Sequence, residues 1–194
     1  MTTVAEVEKV SRVVPKRFRV EDFRRMTEAG ILPEESGWEI IDGYLIDKMS
    51  IGSKHASTVK RLNRKLTRLF DDKVIISVQD PIHIDEFNEP EPDIMLLKPR
   101  EDFYAENHPI PQDVLLLIEV SDSTVEYDRK YKKTLYAAAG IVEFWIVNLP
   151  DETVECYSSL KNGTYHLARI SEKGETVESN SVENLKLSVE EILG

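Results

Sequence analysis

Apolar residues recur along this chain in two rhythms, one helical and one strand-like. In "SKHASTVKRLNRKLTRLFDDK", Val59, Leu62, Leu66, Leu69 and Phe70 fall at helical spacing, which predicts an amphipathic helix. Lys60, Arg61, Arg64, Lys65 and Arg68 take up its remaining surface. "RVEDFRRMTEAG" predicts a shorter helix with Phe23, Met26 and Ala29 inward and Gly30 as its stop. "GWEIIDGYLIDKMS" predicts a hairpin, because Asp-Gly sits between two runs of strand-formers. "VIISVQDPIHI" is strand-like and broken by Pro81, "DEFNEPEP" is a turn-rich acidic loop, and "DIMLLK" is a short apolar strand.

The longest apolar run is "DVLLLIEVS", and its two apolar faces place it at the centre of a sheet. "DSTVEYDRKYKKTLYAAAG" follows as a helix, with Ser123 or Thr124 as its cap and Gly140 as its end. "IVEFWIVN" then returns as a strand, so the order is a βαβ unit. "TVECYSS" and "TYHLARI" form strands around a "KNG" turn, and "LSVEEILG" closes the chain as a short helix. The expected fold class is α/β (α+β), with the βαβ unit at its centre and extra hairpin strands toward both ends. Residues 1–15 read as a flexible lead-in and 16–194 as a single domain.

No apolar run approaches the roughly 20 residues of a membrane helix, and the N-terminus lacks a secretory signal, so no membrane partner is expected. The single cysteine, Cys156, excludes an internal disulfide and a cysteine zinc cluster within one chain, and it fits a reducing cytoplasm. The net charge of -11 argues against a strong non-specific nucleic-acid binder. The charge is unevenly spread, and Lys60, Arg61, Arg64 and Lys65 form a weak candidate contact for a nucleic-acid backbone. A solvated helix face accounts for them as well.

Several carboxylates stand out against their apolar context. Asp93 sits where "EPEP" meets "DIMLL", Glu119 lies inside "LLLIEVS", and Glu39 is flanked by Trp38, Ile40 and Ile41. A buried unpaired carboxylate costs several kcal/mol, so such acids are paired, protonated or bound to a cation. Taken singly, each also reads as a strand-end or outward-facing residue. A divalent cation between Asp93 and Glu119 would account for both. Asp128, Lys132 and Tyr136 follow at four-residue intervals and share one helix face. Taken alone, Asp128 and Lys132 read first as a surface ion pair; alternatively, Lys132 folds back near Glu119 and polarises a phosphate oxygen or a water. His55 is a candidate for phosphate contact or proton transfer, or simply a capping histidine, and Gln79 is a polar residue on a strand. There is no G-x-S-x-G elbow, phosphate-cradling loop or dinucleotide fingerprint.

"EPDIMLL", "LLLIEVSDST" and "YDRKYKKTLYAAAGIVEFWIVN", with "WEIIDGYLI" and "SKHASTVKRL" upstream, resemble the restriction-endonuclease-like family abundant in cyanobacteria, within the PD-(D/E)XK nuclease superfamily. The resemblance spans residues 18–150. It implies a restriction-endonuclease-like mixed sheet flanked by helices and a Mg²⁺- or Mn²⁺-dependent endonuclease acting on DNA. On that resemblance Asp93 and Glu119 are the two acids, the Val120 backbone carbonyl is a further metal ligand, and Glu39 is an added upstream acid. Ser121 stands where the usual E-x-K lysine would be, and Lys132 fills that role from the helix. Asn148 departs from the family's usual Asp after the strand. A homodimer is expected under this reading. The alternative is a catalytically silent nuclease-fold module serving as a homodimeric interaction or DNA-associated protein.

Overall fold

The computed structural model describes residues 15–33, 37–48 and 52–194. Apart from Pro15, the expected lead-in therefore lies outside the described residues. The chain divides into two compact units, one of residues 1–49 and 85–90 and one of 50–84 and 91–194.

The first unit holds α1 (Val20–Glu28) and a hairpin of β1 (Gly37–Ile41) and β2 (Tyr44–Lys48). Asp42 and Gly43 make the hairpin turn with φ of 51° and 74°, the doubly left-handed geometry that Asp-Gly favours. Gly43 is required there for a second reason, since a Cβ on it would meet Arg17 Cβ at 2.7 Å. The loop 85–90 docks onto this hairpin. Glu89 bridges Ile40, and Asn88 Oδ1 accepts the Asp42 amide at 2.7 Å. Arg24 of α1 ties down Glu89 at 2.5 Å. Phe23 and Met26 are half-buried as expected, but Ala29 is exposed, because the helix ends at Glu28 and Gly30 turns the chain away.

The second unit is a six-stranded sheet in the order β3-β4-β5-β6-β7-β8. Its strands are β3 (Ile75–Val78), β4 (Ile94–Leu97), β5 (Val114–Ser121), β6 (Phe144–Asn148), β7 (Thr153–Lys161) and β8 (Thr164–Ser171). All neighbours are antiparallel except β5 and β6, which are parallel and joined by the predicted crossover helix. The apolar run of β5 is central, as its two-sided burial demands.

Strand alternation sorts the core. Ile94, Leu96, Leu116, Ile118 and Val120 pack with Val59, Leu62, Leu66 and Phe70 of α2 (Ser53–Phe70). Leu69, expected inward, is 45% exposed. It lies beyond the edge of the stripe set by Val59, Leu62 and Leu66. Met95, Leu97, Leu117, Phe144 and Ile146 form the opposite face with Tyr136. The chain ends in a two-stranded ladder of β9 (Thr176–Glu178) and β10 (Lys186–Ser188), then α4 (Val189–Leu193). Val177, Leu187, Val189 and Ile192 from this segment complete the α2-side core.

The crossover helix α3 covers residues 125–139 and is not uniform. A single α turn, Val125–Tyr127, passes into a π segment, Asp128–Lys132, before α-helix resumes over Lys133–Ala139. Gly140, at φ 93°, ends it. The expected side-chain cap is not made: Thr124 spends its hydroxyl on Asp128 instead.

Candidate functional site

Antiparallel register brings the two acids together. Ile94 pairs with Ile118, so one step further along the ladder Asp93 stands opposite Glu119, and opposed residues share a face. Both carboxylates are buried, and Glu119 faces α3, from which Lys132 and Tyr136 reach it.

Asp93 is held on three sides. Its Oδ2 accepts the Val120 amide at 2.9 Å and lies 3.0 Å from His55 Nε2, while Oδ1 accepts Gln79 Nε2 at 3.3 Å. His55 comes from the first turns of α2. Gln79 ends β3 in a left-handed conformation, φ 56°, that turns it toward Asp93. Its own amide donates to the Asp93 carbonyl at 3.1 Å. The strand thus breaks two residues before Pro81. Non-glycine residues in this region carry backbone strain, which is concentrated at functional sites.

Glu119 is held from α3. Its Oε1 accepts Lys132 Nζ at 3.0 Å and the Tyr136 hydroxyl at 2.8 Å. Asp128 is not the surface partner that its spacing from Lys132 allows. It is 3% exposed, and its Oδ2 accepts Ser121 Oγ at 2.7 Å and Thr124 Oγ1 at 2.8 Å. The π segment carries both Asp128 and Lys132 inward, and such widened turns recur at functional sites.

The charges of this cluster act on one another. Burial pushes the Asp93 carboxyl up, but the His55 bond and charge, the Val120 amide and the Lys132 charge together hold it below the ordinary range. Burial also raises the Asp128 carboxyl, and here the Lys132 charge and the two hydroxyls do not fully offset it. The Asp93 charge adds to that upward push. Three buried carboxylates, Asp93, Glu119 and Asp128, thus share one buried lysine.

A depressed folded value means that ionised Asp93 stabilises the fold above its ordinary value of 3.8, and that this contribution is lost as pH falls through the lower, folded value. His55→Ala is expected to move the Asp93 carboxyl midpoint upward in a carboxyl-detected NMR titration. An unchanged midpoint would show that His55 does not hold Asp93.

The remaining sequence candidates are placed as follows. Glu39 is buried in the first unit, paired in register with Ile46. Among the described residues, no three His, Cys, Asp or Glu side chains gather in a way that could hold a metal ion. On α2, Arg61 donates to the carbonyls of Ile192 and Leu193 at 3.0 and 2.7 Å, and Lys65 pairs with Glu191 at 2.7 Å. Those two cations hold down α4, and Lys60 and Arg64 are exposed.

In the second unit, two further buried acids among the described residues lie outside the sequence candidates. Glu155 of β7 accepts Arg129 on both oxygens at 2.5–3.1 Å and the Tyr157 hydroxyl at 2.6 Å, clamping α3 to the sheet. Glu143 accepts Trp145 Nε1 at 2.7 Å and binds the 179–181 loop. The signal that marks Glu119, an acid among apolar strand residues, is also present in "IVEFW" and "TVECY".

The comparisons agree with the fold. A profile of the Uma2 family, described as "Putative restriction endonuclease", matches residues 20–190. A crystal structure of "a putative nuclease belonging to DUF820" from Anabaena variabilis superposes with a TM-score of 0.72 at 18% identity, covering 92% of this chain and 98% of that one. No match is found among curated proteins. No helix among the described residues is long and apolar enough to cross a membrane.

Proposed function

Because the chain belongs to the Uma2 family, we propose that it is a metal-dependent endonuclease that hydrolyses DNA phosphodiester bonds at a PD-(D/E)XK-type site. The observation that carries this reading is the meeting of two buried carboxylates, Asp93 and Glu119, at the ends of neighbouring strands. With Asp128 buried beside them around Lys132 and with His55 on Asp93, negative charge is crowded where water is scarce, and a divalent cation between Asp93 and Glu119 would relieve it. Asp93 and Glu119 supply hard oxygen donors suited to Mg²⁺ or Mn²⁺. The N–H and C=O of one strand residue point to the same neighbouring strand. The Val120 amide reaches Asp93, so its carbonyl is directed to that side and is assigned as a further ligand.

When bound, such a cation lowers the pKa of a water and neutralises charge on the scissile phosphate. The protein's own residues do the rest. Lys132 would donate to a phosphate oxygen or orient the attacking water, a role supported by its position beside Glu119 at 3.0 Å. Tyr136 fixes the Glu119 carboxylate, and His55 and Gln79 fix Asp93. Asp128 ties the start of α3 to the end of β5 through Ser121. DNA is the assigned substrate and a homodimer the assigned assembly, since two sites suit a two-stranded substrate.

Purified protein with Mg²⁺ or Mn²⁺ is expected to nick supercoiled plasmid, with chelator stopping it. Glu119→Gln should lower the rate on the order of 10²–10³-fold. Equal rates in the two proteins would overturn the reading. The net charge of -11 favours a second reading, a silent nuclease-fold module that associates with a partner or with DNA. That reading predicts no metal-dependent nicking by either protein.

A further inference from the structure

The π segment that brings Lys132 to Glu119 has a second consequence. Tyr127 and Tyr131, each one residue before a buried member of the cluster, pair with each other with ring centroids 5.3 Å apart and planes 32° apart. Tyr127 is half-buried, and Tyr131 is 63% exposed. An aromatic side chain left this open adds little to a core.

The direction of the pair follows from the other residues of α3. Arg129 and Lys133, one residue after Asp128 and Lys132, both reach β7: Arg129 binds Glu155, and Lys133 Nζ lies 4.7 Å from the centre of the Tyr157 ring. That flank of the helix is therefore occupied. Tyr127 and Tyr131 lie on the opposite flank, toward β4, at whose start Asp93 stands. Lys130, next to Tyr131 in the chain, pairs with Glu126 at 2.8 Å on the exposed side of the helix.

We propose that Tyr131, backed by Tyr127, is a stacking platform for an unpaired nucleobase next to the scissile phosphate, so that the substrate is single-stranded nucleic acid or a duplex with unpaired nucleotides. The proposal rests on the nuclease reading above. Aromatic side chains bind single strands by offering a face to each base, and this is tolerant of sequence. Bases within an intact duplex are already stacked on both faces and cannot use such a platform.

The test is fluorescence anisotropy in EDTA, so that nothing is cut, with a labelled single-stranded oligonucleotide and the same sequence as a blunt duplex. Tyr131→Ala is expected to weaken single-strand binding about tenfold and to leave duplex binding unchanged, while Tyr131→Phe binds as the wild type does. Circular dichroism melting checks that the exposed substitution leaves the fold intact. If Tyr131→Ala binds single strands like the wild type, or weakens both forms equally, the platform is wrong and the nuclease reading is untouched. If the wild type binds neither form, the platform is wrong, and the nuclease reading stands or falls separately on Mg²⁺-dependent plasmid nicking.

Discussion

Lys132→Met is expected to stop plasmid nicking and to lower stability by about 3–5 kcal/mol, the usual cost of removing one partner of a buried ion pair. Lys132 and Glu119 side chains are 6% and 5% exposed, so water cannot replace the lost partner. The Tyr136 hydroxyl still donates to Glu119, but a neutral hydroxyl does not balance the carboxylate, and Asp93 and Asp128 lose the same compensating charge. The double variant Lys132→Met/Glu119→Gln removes the stranded charge. It should recover much of the lost stability while remaining inactive. Urea unfolding of the two variants and the wild type measures this coupling. A single variant as stable as the wild type would mean that the pair is not buried as described. An active single variant would remove Lys132 from the mechanism.

The second large effect is expected far from the chemistry. Glu143 stands just before β6, while the acid cluster lies at the other end of β5. It is fully buried, and it gathers Trp145 Nε1 together with the Ser179 hydroxyl, the Asn180 amide, and the Ser181 amide and hydroxyl, at 2.6–2.9 Å. These bonds fasten the loop that leads to Val182, Leu185, Leu187, Val189 and Ile192, all part of the α2-side core. Glu143→Ala strands several buried donors at about 1–3 kcal/mol each and loosens that segment. The expected loss is at least about 4 kcal/mol, among the largest for a single substitution. Glu143→Gln keeps the shape and part of the acceptor capacity and should lose less. A change below about 1 kcal/mol in Glu143→Ala would show that the C-terminal segment is held by its apolar contacts alone.

These two acids show where sequence reasoning reaches and where it stops. Periodicity located α2, the Asp-Gly hairpin, the central strand β5 and the crossover to β6, because each is written in local spacing and turn chemistry. It also brought Asp93 and Glu119 forward as a pair, through their positions at or within apolar strands. It could not tell Glu119 from Glu143 or Glu155. All three are acids flanked by apolar strand residues, and their roles differ only in what reaches them across the fold: a lysine and a tyrosine, a loop of amides and hydroxyls, or an arginine. The spacing of Asp128 and Lys132 was visible, but their burial was not. The π segment that buries them has no sequence signal of the kind that caps and turns possess. In the same way, four-residue spacing on α2 could not reveal that Arg61 and Lys65 hold α4, a helix more than a hundred residues later.

The account turns on whether Asp93 and Glu119 hold one cation between them. Crystals grown without metal and soaked in Mn²⁺ test this directly by anomalous scattering. A single Mn²⁺ within ligand distance of both carboxylates and of the Val120 carbonyl is the predicted result. A cluster that binds no Mn²⁺ at concentrations where plasmid nicking is measured, with Lys132 still on Glu119 and His55 still on Asp93, would contradict it.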